Sequence, residues 1–218
     1  MRIGVLGTGI VGRTLGSALL SSGHEVRLGS RAAGNEAAIA WAEDIGGPAS
    51  EGTFADAAGF GELVINATAG AASLDALALA GAEQLAGKVL VDVANALDTS
   101  RGMPPTLTVC NDDSLGEQIQ RAFPEVRVVK TLNTVTAAVM VQPALVEGPH
   151  TVFFACDDAA AKAEVGLLLQ ELGWPAGSIM DLGDISAARG MEMYLALWLR
   201  LWGTTGSAVL NVEVRAGE

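Results

Sequence analysis

Six residues near the start of the chain, Gly7-Thr8-Gly9-Ile10-Val11-Gly12, have the glycine spacing with which a backbone turn holds a pair of phosphates. The pattern alone says little in a chain with 27 glycines. Its setting gives it mechanical meaning, because it follows the apolar run Ile3 to Leu6 and opens a helical stretch from Val11 to Ser21. There Gly7 permits the tight turn, Gly9 lets backbone approach a pyrophosphate, and Gly12 lets the helix pack on the strand. The first helical turn then offers free N–H groups and a positive dipole end to the anion. A second strand, Glu25 to Leu28, leads into Gly29-Ser30-Arg31. Sites for NAD usually end this strand with a carboxylate on the ribose hydroxyls, and that carboxylate would repel a 2′-phosphate. Here Ser30 can donate to the phosphate, while Arg31 can neutralise it and stack on adenine. The pair favours NADP.

Groups able to assist a reaction beside such a cofactor are few. Reduction of a carbonyl needs a proton donor as well as a hydride. His24 falls between the first helix and the second strand, away from the strand C-termini where ligands of this fold bind. His150 follows Pro149 in a loop and Tyr194 lies in an apolar late helix; neither has a partner readable from sequence. Lys130 and Asn133, at the end of a strand, form a K-x-x-N pair of the kind β-hydroxyacid dehydrogenases use as acid and orienter. Those enzymes add a long helical domain, whereas only about 85 residues follow Asn133 here. Two readings of Lys130 stand: a catalytic acid, or a lysine serving structure or an anionic ligand. Asn133 lines the ligand cleft next to Thr134 in the second.

The elements that must position these residues alternate in type. Strand-like runs at Ile3 to Leu6, Glu25 to Leu28, Leu63 to Asn66, Val89 to Val93, Arg127 to Val129 and Thr151 to Ala155 are separated by helical stretches. That alternation defines an α/β protein with a Rossmann-type parallel sheet. Asp112-Asp113-Ser114 supplies caps for a helix running to Ala122, before Pro124. Later helices are expected from about Asp158 to Leu172 and from Asp184 to Trp202. The second is apolar on nearly every side, with a thin polar stripe at Arg189 and Arg200, so it must be covered by its own sheet and by a partner subunit. The division expected is an NADP-binding domain over residues 1–155 and a small, mainly helical C-terminal part over 156–218 for substrate and dimerisation.

Composition excludes other classes. Half of the 218 residues are hydrophobic and the mean hydropathy is +0.38, enough for a sizeable core. A net charge of −12 argues against a nucleic-acid partner. Cys110 and Cys156 lie far apart with no histidine cluster, so neither a metal site nor a disulfide framework is expected. The first strand begins at once, leaving no room for a signal peptide, and no apolar stretch has the length of a membrane span. A cytoplasmic location follows.

Together these residues resemble the NADPH-dependent reductases of the deazaflavin coenzyme F-420. The likeness rests on Gly7 to Gly12, Ser30-Arg31, Lys130-Thr131-Leu132-Asn133-Thr134 and the pattern Met191 to Trp202, and it spans essentially the whole chain. It implies a homodimer in which a hydride passes between nicotinamide and deazaflavin rings stacked in a cleft, with no side-chain acid or base and hence no catalytic residue in the strict sense. It also implies that Thr8, Ile10, Asn66, Ala67, Thr68 and Ala94 line the nicotinamide side, and Asn133, Val135 and Leu201 the deazaflavin side. The chain departs from archaeal members, which carry histidine at the place of Asn133. The alternatives left open are an NADPH-dependent reductase of a flavin or a small carbonyl or imine compound, and a non-catalytic NADP-binding protein.

Overall fold

The computed structural model describes residues 1–217. The first half of the chain runs β1 (Arg2–Leu6), α1 (Ile10–Ser21), β2 (Glu25–Ser30), α2 (Glu36–Ile45), β3 (Ala49–Thr53), α3 (Phe54–Phe60), β4 (Leu63–Asn66), α4 (Ser73–Ala80), α5 (Ala82–Leu85) and β5 (Val89–Asp92). A short hairpin follows, β6 (Leu97–Asp98) and β7 (Thr106–Leu107), then α6 (Leu115–Ala122), β8 (Arg127–Thr131) and α7 (Ala137–Val141). The chain continues with β9 (Val152–Ala155), α8 (Ala159–Glu171), β10 (Ile179–Asp181) and α9 (Ala188–Thr205).

Eight strands form one sheet in the order β10-β9-β8-β5-β4-β1-β2-β3. From β3 to β8 all neighbours are parallel, in the doubly wound order of a dinucleotide-binding fold. β9 runs antiparallel to β8, pairing Lys130 with Ala155 and Thr131 with Phe154, and β10 runs parallel to β9. The expected parallel sheet is therefore extended by a reversed pair. Short α7 turns the chain back at the end of β8 instead of carrying it across the sheet.

Every residue of β4 and β5 is buried, as expected of central strands covered on both faces. Ile3, Val5, Leu15, Leu28 and Trp174 belong to the core on one face; Leu6, Phe54, Val64, Leu90 and Ile119 belong to the other. In α1 the buried residues Gly12, Leu15, Gly16 and Leu19 recur at helical spacing. Gly16 is small because Trp41 of α2 sits where its Cβ would be, 2.9 Å away, with the indole N–H donating to Ser17 Oγ. Side chains cap α2 (Asn35), α3 (Thr53, with Asp56 closing a capping box), α6 (Ser114) and α8 (Asp158).

α9 begins at Ala188, after a single 3-10 turn over Ile185–Ala187 capped by Asp184, and runs to Thr205, three residues beyond the expected end. Ala188, Met191, Leu195 and Trp198 form its buried stripe. Leu197 and Trp202 are exposed. Residues 206–217 form neither helix nor strand and pass the start of β9, where Val212 O accepts from Thr151 N at 2.8 Å. No helix among the described residues is long and apolar enough to cross a membrane.

Candidate active site

The strand order reverses between β1 and β4, and ligands of open α/β sheets lie beyond the strand C-termini at that point. Two clefts meet there. The outer one, about 630 Å³, is lined by Gly7, Thr8, Gly9, Ser30, Arg31 and the loop through Asn35. The inner one, about 660 Å³, is lined by Ile10, Val11, Ala94, Asn133, Val135 and, on α9, Leu195, Trp198, Leu199 and Trp202. Ala67, Thr68 and Ala69 border both, so the two make one continuous groove.

The glycines divide their work as the spacing suggests. Gly7 has φ +120°, a backbone that side chains rarely adopt, and a Cβ there would lie 2.5 Å from Ala67 O. A Cβ on Gly12 would come 2.1 Å from Gly7 O, so this residue lines neither cleft and serves to seat α1 on the turn. Gly9 differs: no atom lies within 4 Å of where its Cβ would be, and it borders the outer cleft. It is also the N-cap of α1 and supplies no capping side chain, so the first N–H groups of the helix are left for an anion. Open space at Gly9 beside an uncapped helix start fits the pyrophosphate of a dinucleotide.

Ser30 borders the outer cleft, and its hydroxyl donates to Ala32 O at 2.5 Å, which shapes the loop. Arg31 is exposed and borders the cleft. The loop is pinned from behind by Glu51, which accepts from Gly34 N at 3.1 Å. Asn35 also borders the cleft while its side chain accepts from Ala38 N.

Two expected lining residues do not line the groove. Leu201 lies on α9 outside the set that walls the inner cleft, and Trp198, Leu199 and Trp202 take that place, because the helical turn brings them round. Asn66 is fully buried under the floor. Its Nδ2 donates to Asp92 Oδ1 (2.8 Å) and Ser73 Oγ (3.1 Å), and its Oδ1 accepts from Thr68 Oγ1 (2.7 Å).

Lys130 is likewise inaccessible. Its Nζ donates to Asp92 Oδ2 at 2.8 Å, to Glu192 Oε1 at 2.9 Å and to Ala94 O, and all three charged side chains are essentially unexposed. Burial works to lower the Lys130 pKa, but the charges and hydrogen bonds of Asp92 and Glu192 outweigh it and hold the ammonium above its usual range. Glu192 also accepts from Leu115 N (2.9 Å) and Gly116 N (3.1 Å), the start of α6. Asn133 does border the inner cleft; its Nδ2 donates to Asn95 Oδ1 and Met191 O. None of the side chains lining the inner cleft among the described residues is an acid or a base. Of the other candidate donors, His24 lies at the far end of the sheet on Glu171 and His150 bonds Pro143 O, both away from the groove.

Glu192 is the polar residue that sequence reasoning missed. A carboxylate between Met191 and Met193 in so apolar a helix needs a buried partner, and Lys130 was the unassigned cation.

A Rossmann sheet whose phosphate turn opens onto a second, apolar cleft is the architecture of a dinucleotide-dependent oxidoreductase. Residues 2–96 match the family described as NADP oxidoreductase, coenzyme F-420-dependent. A crystal structure of a protein from Arthrobacter sp. FB24, provisionally named an F-420-dependent NADP-reductase, is 53% identical with a TM-score of 0.92, over 99% of this chain and 100% of that one. The chain belongs to this family and is an NADP-dependent oxidoreductase. Metalloreductase STEAP3 of Rattus norvegicus is 29% identical over 92% of this chain, which spans only 37% of that protein. An imine reductase of Streptomyces aurantiacus shares the fold, with 19% identity and a TM-score of 0.62 over 94% of this chain and 64% of that one.

Proposed function

We propose that this chain passes a hydride between NADP(H) and the deazaflavin coenzyme F-420. The observation that carries the reading is the inner cleft itself, which has a volume of about 660 Å³ and no acid or base in its lining. Bound NADP supplies the hydride, or receives it. Gly7, Gly9 and the start of α1 hold its phosphates, Arg31 meets the 2′-phosphate, and Ala67, Thr68 and Ala94 form the floor beneath the nicotinamide. Asn133, Val135 and α9 form the opposite wall. Hydride transfer between stacked rings asks the protein for proximity, orientation and exclusion of water, not for a proton. A carbonyl or imine substrate would need a donor that this lining lacks. Mixing the protein with NADPH and oxidised coenzyme F-420, and separately with FMN, should bleach the deazaflavin absorbance and leave the flavin unreduced on the same timescale. Reduction of FMN alone would overturn the reading.

Of Ser30 and Arg31, which border the outer cleft at the end of β2, Arg31 carries the charge that discriminates for the 2′-phosphate. NADPH should bind at least ~10-fold more tightly than NADH, and Arg31→Ala should remove most of that preference by weakening NADPH alone. Calorimetric titration of both nucleotides checks this; equal weakening of the two would mean that Arg31 stacks on adenine and does not read phosphate.

The same reading makes residues 156–218 the substrate and dimerisation part. Leu197, 54% exposed, lies on a helix that already buries Met191, Leu195 and Trp198. Sedimentation should give twice 22.2 kDa, and Leu197→Lys should shift the population to monomer.

A further inference from the structure

A buried line of polar contacts runs from the floor of the groove to its far wall. Thr68, which borders both clefts, is held by Asn66 Oδ1; Asn66 Nδ2 donates to Asp92 Oδ1; Asp92 Oδ2 receives Lys130 Nζ; and Lys130 meets Glu192 on α9. Lys130 also grips Ala94 O, a second piece of the floor. Two carboxylates face one ammonium, and the surplus charge on Glu192 is met by the N–H groups that open α6.

Such a set is costly to bury, and apolar side chains of similar volume would often be as stable or more so. Its directional bonds do what apolar contacts cannot, which is to fix an angle. α9 shows why an angle matters. Among the described residues, apart from the local turn that Thr205 makes with Ser207, the side-chain hydrogen bonds and ion pairs that tie this helix to the rest of the molecule all fall between Arg189 and Glu192: Arg189 to Glu117, Asn133 to Met191 O, and Glu192 to Lys130 and α6. Further on, Tyr194 OH and Trp198 Nε1 are buried without a partner. The wall of the cleft begins at Leu195 and reaches Trp202, so it stands on a lever reaching about 15 Å from Glu192 at ~1.5 Å per residue.

We propose that Asp92, Lys130 and Glu192 are positioning residues that set the separation between the nicotinamide floor and the α9 wall. They touch neither ring; they act through Thr68 and Ala94 on one side and Leu195, Trp198 and Leu199 on the other. The inference rests on the proposed function in taking the inner cleft as the place where the two rings meet.

The test is Glu192→Gln in the full chain, with Lys130→Met/Glu192→Met, which leaves no unpaired lysine, as the second variant should the first not fold. Energy transfer to bound NADPH from the four tryptophans, of which Trp198 and Trp202 wall the inner cleft while Trp41 and Trp174 lie outside α9, changes with the distance from α9 to the nicotinamide and needs no hydride acceptor present. The variant should bind NADPH within about twofold of the parent while this transfer changes. Turnover with coenzyme F-420 should fall about ten- to a hundredfold in kcat at nearly constant KM for NADPH. The deuterium isotope effect on the hydride should become larger and more temperature-dependent. Unchanged energy transfer and isotope effect in a folded variant would overturn the inference, as would a loss of NADPH affinity that accounts for the loss of turnover. If the parent fails to reduce coenzyme F-420 but energy transfer still changes in the variant, the choice of acceptor is wrong and the positioning role stands.

Discussion

Replacing Lys130 by methionine is expected to cost about 3–5 kcal/mol of folding stability, the range seen when one partner is removed from a buried ion pair. For a chain of this size that lowers the melting temperature by roughly 6–20 °C. The methionine fills most of the volume, so the loss is electrostatic and not a cavity. Asp92 keeps Asn66 and Ala94 N, and Glu192 keeps the α6 N–H groups, but two carboxylates then share a dry interior with no cation. Removing one of them as well, in Lys130→Met/Glu192→Met, should recover part of the loss even though it deletes more native hydrogen bonds. Denaturant titrations of the three proteins measure both effects. A single-variant loss under about 1 kcal/mol, or a double variant weaker than the single by a similar amount again, would show that the three groups are not paired as described.

The history of Lys130 shows where the sequence stops being readable. At the end of a strand and three residues before Asn133, it has the spacing of a catalytic pair, and spacing cannot say which side of the strand end a side chain takes. Its partners come from elements 38 and 62 residues away along the chain, Asp92 and Glu192. Only the sheet order, which puts β5 beside β8, and the seating of α9 on α6 bring them together. Asn66 failed as a lining residue for the same reason: one residue before Ala67, it turns inward to Asp92, while the floor is made by the residues after it.

Local signals fared better where the chemistry is local. The central strands were visible because burial on both faces leaves continuous apolar runs, and the turn was visible because its three glycines keep a fixed spacing within six residues, although only Gly12 answers a steric demand that close along the chain, at Gly7 O. β3 was not visible. Its five residues, Ala49-Ser50-Glu51-Gly52-Thr53, form an edge strand with only Gly52 buried, so no alternation marks it. β10 is a three-residue edge strand and β6–β7 a two-residue ladder, too short to leave a pattern. Helix ends marked by Ser114 and Asp158 fell within a residue of the expected places, because a cap is read from one side chain.

The second large effect is expected at Gly9, and it should be one of function without stability. Gly9→Val should weaken NADPH binding at least ~100-fold, about 2.7 kcal/mol, while unfolding free energy falls by no more than about 1 kcal/mol, the worth of a modest change at an N-cap. The asymmetry follows from three glycines that look alike in sequence. A side chain at Gly12 would collide with Gly7 O, and one at Gly7 with Ala67 O in a backbone that disfavours it, so substitution at either should damage the fold itself. At Gly9 the backbone is extended, with φ −73° and ψ −175°, a conformation any residue adopts, and the space ahead is empty of protein. That space is where the pyrophosphate must come against the start of α1, so the methyl groups of valine would hold it off and leave the first N–H groups without their anion. Gly12→Val should show the reverse order, with stability lost first. Thermal melts paired with titration of NADPH decide between the two patterns. A Gly9→Val protein that binds NADPH normally would place the phosphates elsewhere in the groove, and with them the reading of Arg31.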